Sequence, residues 1–388
     1  RALDEHDLNA QLFATEADKA VRLLDVLMGE YDVVVMNPPY GGTTGTAKAY
    51  LKKAYPRTKN DLYATFFERA LDLLGGDGFA GAITSRTFLN LNSFRALREC
   101  ILLDALQPVA ALDLGFGVLD DAAVETVASA LRADRQRSVR KTVFFRLNAL
   151  EDQRQSEFER TLDDLQSTVI RESVFAVPLA SFKLVPGSPF AYWASNSFLE
   201  LFRNLPSLQP LFAEVKQGLA TSNDARFLRR WWEVQVKQRG DWIMFAKGGD
   251  YCKYYYDLDL VINWANDGKE LKEYILAKDG CITKRIYSQD YYFLEGLTYP
   301  LVTVKGFNVR YLSSGAIFGH KGPSIFLSSN QPEALWFGLG LLNSALVQVF
   351  LLTLTPSRSF EVGYVSHLPF ARPSDEQASY LARLAHEA

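Results

Sequence analysis

The stretch Tyr31-Asp32-Val33-Val34-Val35-Met36-Asn37-Pro38-Pro39-Tyr40 governs how the rest of the chain is read. Residues 31–36 form a short β-branched, apolar run that stops abruptly at two prolines, which predicts a buried parallel strand running into a loop at its carboxyl end. Ligand sites of open α/β sheets lie at such ends. Upstream, residues 8–29 have helical spacing, with Leu23, Leu24, Val26, Leu27 and Met28 on an apolar face and Gly29 at the C-cap position. Downstream, Leu62, Phe66, Phe67, Ala70, Leu71 and Leu74 repeat at helical spacing up to Gly75-Gly76, and a strand is expected over 79–84. A helix over 94–103 and a strand over 109–114 complete an alternation that implies a parallel α/β sheet. Beyond Gly115, residues 124–131 and 142–147 are expected as a closing antiparallel pair, and the charged stretch 151–172 as a solvated connector. The predicted layout is a first domain over 1–150, a connector over 151–189 and a second domain over 190–388. The second domain is dense in aromatic residues, among them Trp231, Trp232, Trp242, Trp264 and Tyr254 to Tyr256.

Composition excludes several classes. The 388 residues are 48% hydrophobic and 22% charged, enough for a sizeable core and about two domains. Lys and Arg total 42 against 45 Asp and Glu, a net charge of −3, so any nucleic-acid surface has to be local. The three cysteines, Cys100, Cys252 and Cys281, are far apart and form no CxxC pair, which argues against a disulfide framework and against zinc. With no run of eighteen apolar residues and no signal-peptide pattern, the sequence reads as a soluble cytoplasmic protein with no membrane partner. Position 1 is Arg, which is read as the start of a carboxyl-terminal part of a longer chain.

In Asn37-Pro38-Pro39-Tyr40, two prolines fix two successive φ angles and remove two backbone donors, leaving a stiff turn rich in acceptors. The Asn37 side-chain oxygen and the Pro38 carbonyl can accept from one amino group while Tyr40 offers a flat face to a ring. This suits an exocyclic amine on a planar heterocycle. The amine of adenine is a poor nucleophile because its lone pair is conjugated into the ring, and two such hydrogen bonds would help localise that pair. A plain proline-rich turn is the competing reading.

The tetrapeptide at this strand end resembles the catalytic motif of the gamma-class DNA adenine methyltransferases. The resemblance continues through Lys59-Asn60-Asp61-Leu62-Tyr63, Ile83-Thr84-Ser85-Arg86-Thr87-Phe88-Leu89, Ala111-Leu112-Asp113-Leu114-Gly115 and Val124-Glu125-Thr126. It implies a partial Rossmann-like methyltransferase sheet followed by an α+β target-recognition domain, with Asn37, Pro38, Pro39 and Tyr40 as the catalytic loop. It also implies that a base flipped from the duplex stacks on Tyr40 and on a second ring shortly after Gly115. The matching position is Leu119, a departure that leaves Phe116 as the aromatic substitute. The implied methyl donor is S-adenosylmethionine, bordered here by Asn37 and Pro38. The glycine-rich turn that seats it in the family has no counterpart in the thirty-six residues before Asn37, and no metal is implied.

Ordered segments of the second domain resemble the target-recognition region of BREX-type phage-defence methyltransferases and of related single-chain restriction-modification enzymes. They run from Lys216-Gln217-Gly218-Leu219-Ala220-Thr221-Ser222-Asn223-Asp224-Ala225-Arg226-Phe227 through Phe245-Ala246-Lys247-Gly248-Gly249 to Asn308-Val309-Arg310-Tyr311-Leu312, Leu342-Asn343-Ser344 and Thr355-Pro356. The implied partners are double-stranded DNA and other phage-defence proteins. From the residues themselves, 215–255 hold eight basic and four acidic side chains, a local +4. Lys216, Gly218, Thr221, Asn223, Arg226, Lys247 and Gly248 are candidates for phosphate contacts, and Arg310, Lys321 and Arg358 for reading guanine edges. A solvated basic face is the plain alternative.

Weaker signals do not change this reading. Residues 41–48 have the composition of a phosphate loop without its spacing and read as a flexible loop over the substrate. The four histidines, His6, His320, His367 and His386, are scattered and read as surface or hydrogen-bonding residues. Three functions stay open: an adenine-specific DNA methyltransferase, a DNA-binding fragment or subunit without catalysis, and a protein methyltransferase acting on a glutamine amide.

Overall fold

The structure, a computed structural model, describes residues 2–42, 45–119, 124–134, 141–167, 171–235, 240–329, 331–355 and 358–388. The chain divides into two compact units, Arg1–Ser195 and Asn196–Ala388. Among the described residues no single helix is long and apolar enough to cross a membrane.

The first unit is built on six strands: β1 (Tyr31–Met36), β2 (Leu74–Ser85), β3 (Leu106–Gly115), β4 (Thr126–Ala133), β5 (Lys141–Arg146) and β6 (Val174–Pro178). Their order across the sheet is β1-β2-β4-β3-β5-β6. Strands β1 and β2 pair in parallel, as do β3 and β5, while β4 runs antiparallel between β2 and β3 and β6 antiparallel beside β5. The sheet is therefore mixed rather than parallel throughout. The expected pairing of 124–131 with 142–147 does not form, because β4 enters between β2 and β3 and leaves β5 to pair with β3.

The helix Leu62–Leu73 forms where predicted, and Asp61 caps it by accepting from the Tyr63 amide. Its Tyr63, Phe67 and Ala70 pack onto Ala80, Ala82, Ala111 and Val127 of the sheet, together with Leu97 and Ile101. The expected helix over 94–103 is instead a short 3₁₀ turn, one helical turn over Arg95–Leu97 and a π turn over Arg98–Leu102. Arg98 is the physical reason. Its buried guanidinium donates to the carbonyls of Phe88 and Leu91 nearby and of Gly187, 89 residues away, so the local turn bends to serve all three.

On the opposite face, Phe145 and Leu147 pack against Phe158 and Leu165 of the helix Arg154–Gln166. The stretch 151–189, expected as a connector, is thus folded into the first unit: that helix covers β5, and β6 extends the sheet. Around β1 the sheet has no such cover. Val33, Val35 and Phe79 are 58%, 81% and 47% exposed, and Leu23, Leu24, Val26 and Met28 of the helix Ala2–Met28 are exposed as well. Among the described residues no strand pairs with the outer edge of β1.

The second unit holds two four-stranded sheets made from β7 (Ala213–Lys216), β8 (Leu228–Arg230), β9 (Trp242–Ala246), β10 (Leu260–Asn263), β11 (Gly296–Thr298), β12 (Arg310–Leu312), β13 (Ile317–Phe318) and β14 (Ser324–Leu327). The orders are β13-β9-β10-β8 and β12-β11-β14-β7. Leu271 and Ile275 of the helix Ala265–Asp279 close the core over Phe227, Ile262 and Phe318. Helices Pro332–Leu342, Ala345–Leu354 and Asp375–Glu387 complete the unit.

Candidate functional site

Asn37 and Pro39 are exposed, Pro38 is buried and Tyr40 is half-buried, all immediately beyond the last residue of β1. The turn is anchored from behind. Asp61 accepts from the Gly41 amide at 3.2 Å with the same oxygen that caps the Leu62–Leu73 helix, and the Leu62 amide donates to the Gly41 carbonyl at 3.0 Å. Gly41 has a φ of +96°, a conformation that a side chain would strain. The Tyr40 ring meets Tyr63 edge-on, with centroids 6.0 Å apart, and the Tyr63 hydroxyl pairs with Thr87 Oγ1 at 2.8 Å. The Tyr40 hydroxyl is buried with no hydrogen-bond partner among the described residues, and burial pushes its pKa up.

Because β1, β2 and β3 run in one direction, their carboxyl ends share one edge of the sheet. Asn37 to Tyr40 leave β1 there, Arg86 and Thr87 leave β2, and Phe116 to Leu119 leave β3. Phe116 is exposed and Leu119 half-buried, and the Phe116 carbonyl accepts from Arg154 at 2.6 Å. One buried carboxylate braces this edge. Asp113 accepts from Arg86 Nε at 2.8 and 2.9 Å, from the Tyr192 hydroxyl at 2.5 Å and from Asn148 at 3.2 Å. Burial pushes the Arg86 guanidinium down, and the Asp113 contact outweighs it, so the pKa of Arg86 ends above its usual value. Arg86 and Asp113 stood in the sequence only as parts of strand motifs; their pairing had no local signal. Beside Asn37 lies a concavity of about 430 Å³ lined by Val35, Gly81, Ile83, Leu112 and Ala128, the uncovered face around β1.

In the second unit the residues expected to meet DNA separate into groups. Thr221, Asn223, Lys247 and Lys321 line one cleft of about 270 Å³, and Gly218 and Gly248 lie in its backbone frame. His320 joins them, a residue the sequence marked only as a surface or hydrogen-bonding histidine and one that pairs with Gln217. Thr221 is buried and Asn223 caps the short helix Asp224–Phe227. Lys216 pairs with Glu214 at 2.6 Å over the Tyr291 ring, and Arg226 pairs with Glu270 at 2.7 Å. Arg358 is exposed away from this lining.

Arg310 corrects an expectation. It is 1% exposed, lies against the Tyr256 ring at 4.4 Å and has no hydrogen-bond partner for any guanidinium nitrogen among the described residues. Burial pushes its pKa down. As placed it reaches no base edge. Of the stretch 41–48, expected as a flexible loop, Gly45 to Lys48 instead begin the helix Gly45–Ala54. Thr43 and Thr44, Lys237 and Arg239 of the basic stretch, and Pro356 lie outside the described residues.

Residues 3–107 match the family described as Eco57I restriction-modification methylase. The chain is 30% identical over 380 residues to the adenine-specific methyltransferase BrxX of Escherichia coli O9:H4 (strain HS), covering 94% of this chain and 30% of that protein. It is 31% identical over 378 residues to the adenine-specific methyltransferase PglX of Lacticaseibacillus casei (strain Zhang), covering 93% of this chain and 31% of that one. The chain is thus similar in sequence to part of two proteins named as adenine-specific methyltransferases. It spans about a third of the length of these curated relatives. Its fold is similar to a solved structure of the Type IIL restriction-modification enzyme MmeI in complex with DNA, at a TM-score of 0.60 and 12% identity, covering 91% of this chain and 48% of that one.

Proposed function

We propose that this chain carries the base-methylating edge and the DNA-recognition unit of an adenine-specific DNA methyltransferase working in phage defence or restriction-modification. The observation that carries the reading is the Asn37-Pro38-Pro39-Tyr40 turn, held rigid by Asp61 at the carboxyl end of β1. In this role the Asn37 side-chain oxygen and the Pro38 carbonyl accept the two protons of a flipped adenine's amine, drawing its lone pair toward attack. Tyr40 stacks on one face of the base and Phe116 or Leu119 closes the other, the ring of Phe116 supplying the aromatic contact that Leu119 lacks. Backbone and basic groups of the second unit hold double-stranded DNA. The first unit is then a partial Rossmann-like methyltransferase sheet and the second an α+β target-recognition domain.

The described residues do not fit S-adenosylmethionine as a complete seat. The concavity beside Asn37 is lined mainly by valine, methionine, glycine, alanine, isoleucine and leucine; Asn37 and Ser129 are its polar side chains, and it offers no carboxylate for a ribose. Asn37 and Pro38 border the donor's reactive end at most, and other residues must supply the rest. The misfit favours a second reading for the isolated chain, a DNA-recognising part that does not methylate alone.

Two measurements test this. Asn37→Ala in the complete enzyme that carries these residues is expected to abolish N6-methyladenine, measured by mass spectrometry in the DNA of cells producing it; methylation equal to wild type would overturn the catalytic assignment. Calorimetric titration of the purified chain with S-adenosylmethionine is expected to give no micromolar binding. Binding at that level would place the donor seat within these 388 residues.

A further inference from the structure

Three backbone stretches of the second unit meet with no room for side chains between them. A Cβ on Gly218 would lie 2.1 Å from the Phe318 carbonyl oxygen, and one on Gly322 would lie 2.6 Å from the Gly248 nitrogen. The Gly319 amide donates to Ala246 at 2.8 Å and the His320 amide to Leu219 at 2.7 Å. Segments around 218–224, 245–248 and 318–322 therefore form one frame, and the cleft they leave presents Thr221, Asp224, Lys247, His320 and Lys321.

The charges in this cleft are arranged asymmetrically. Lys247 is ion-paired with Asp224, whose carboxylate also accepts from the Thr221 hydroxyl. Burial pushes the Asp224 pKa up, and the bonds from Lys247 and Thr221 outweigh it, leaving it below the usual carboxylate value. Lys321 is exposed with no ion pair among the described residues. His320 has Nδ1 against the Gln217 amide nitrogen, so Nδ1 accepts and the ring proton sits on Nε2, a donor left for a ligand. The cleft thus holds four cationic or donor side chains, Thr221, Lys247, His320 and Lys321, around one carboxylate that is itself about half exposed.

We propose that this cleft seats one DNA phosphodiester, and that Asp224 is its placeholder, holding Lys247 and Thr221 in the free protein until phosphate displaces the carboxylate. A phosphodiester presents one negative charge on two terminal oxygens, much as a carboxylate does, so the exchange keeps both donors satisfied and adds Lys321 and His320. A partly exposed ion pair is weak enough to be exchanged in this way. The inference rests on reading the second unit as DNA-binding and goes further, because it gives Asp224 a sign: it opposes DNA. If the pair is instead a strut that positions Lys247, Asp224 supports DNA binding.

The test is duplex DNA affinity by fluorescence anisotropy across a salt series. Asp224→Asn is expected to bind about two- to five-fold more tightly than wild type at low salt. Lys247→Gln is expected to bind more weakly, with a salt slope shallower by about one. Asp267→Asn removes the same charge from an ion pair with Lys272 outside the cleft and is expected to change affinity by a smaller factor. Asp224→Ser, with near-ultraviolet circular dichroism as the check on folding, covers a failure of Asp224→Asn to fold. Weaker or unchanged binding by both Asp224 variants, beside a wild type that binds, would overturn the placeholder alone. A wild type without salt-dependent affinity would overturn the DNA reading of this unit, and the placeholder with it.

Discussion

On one face of the six-stranded sheet Phe67, Leu97 and Ile101 are fully buried against Ala80, Ala82 and Ala111, while around β1 Val33 and Val35 stand open to solvent. Both sets come from the same kind of sequence, short apolar runs that read as interior. The contrast teaches that apolar character records what a segment is built to bury against, whereas exposure records whether that cover is among the described residues. Full burial of a valine contributes about 1.5–3 kcal/mol, a gain that Val35 largely forgoes here. The covered face therefore holds the unit together, and the open face is available for another apolar surface.

Substitutions can break or sharpen this contrast. The largest effect is expected at Phe67→Ala, which empties a fully buried site and should cost about 3–5 kcal/mol in urea unfolding. A loss below about 1 kcal/mol there would mean that the covered face is not the load-carrying one. Tyr40→Phe removes a buried hydroxyl that has no partner among the described residues, so stability should be unchanged or raised by up to about 1 kcal/mol. A clear loss would reveal a partner for that hydroxyl. The smallest effect is expected at Val35→Thr, within about 0.5 kcal/mol, because the position has little packing to lose. Static light scattering should also show less self-association in that variant, since an exposed apolar patch is a docking or aggregation surface.

Much of the first unit was legible in the sequence, for local reasons. Strands β1, β2 and β3 and the Leu62–Leu73 helix are set by apolar periodicity and by Asp61 as a cap, and both act within a few residues. What was not legible depends on distant partners. Nothing near residue 126 says that β4 will slide between β2 and β3. Nothing near Arg98 says that Gly187, 89 residues away, will draw its guanidinium and bend the helix. In the stretch 151–189, Phe158 and Leu165 sit among charges, and the apolar stripe they form was hidden by the overall polarity. The candidate sites divide the same way. The tetrapeptide was readable because proline fixes geometry locally, whereas the burial of Arg310 beneath Tyr256 and the place of His320 beside Lys247 exist only in three dimensions.

The glycine frame around Gly218 bears on how the second unit can change over time. With the carbonyl of Phe318 only 2.1 Å from where a Cβ would stand, even alanine is excluded, so the frame is nearly closed to mutation. The side chains that project from it, such as His320 and Lys321, carry no such constraint. An evolving or engineered variant can therefore exchange those projecting groups while inheriting the same scaffold, much as interchangeable bits fit one drill.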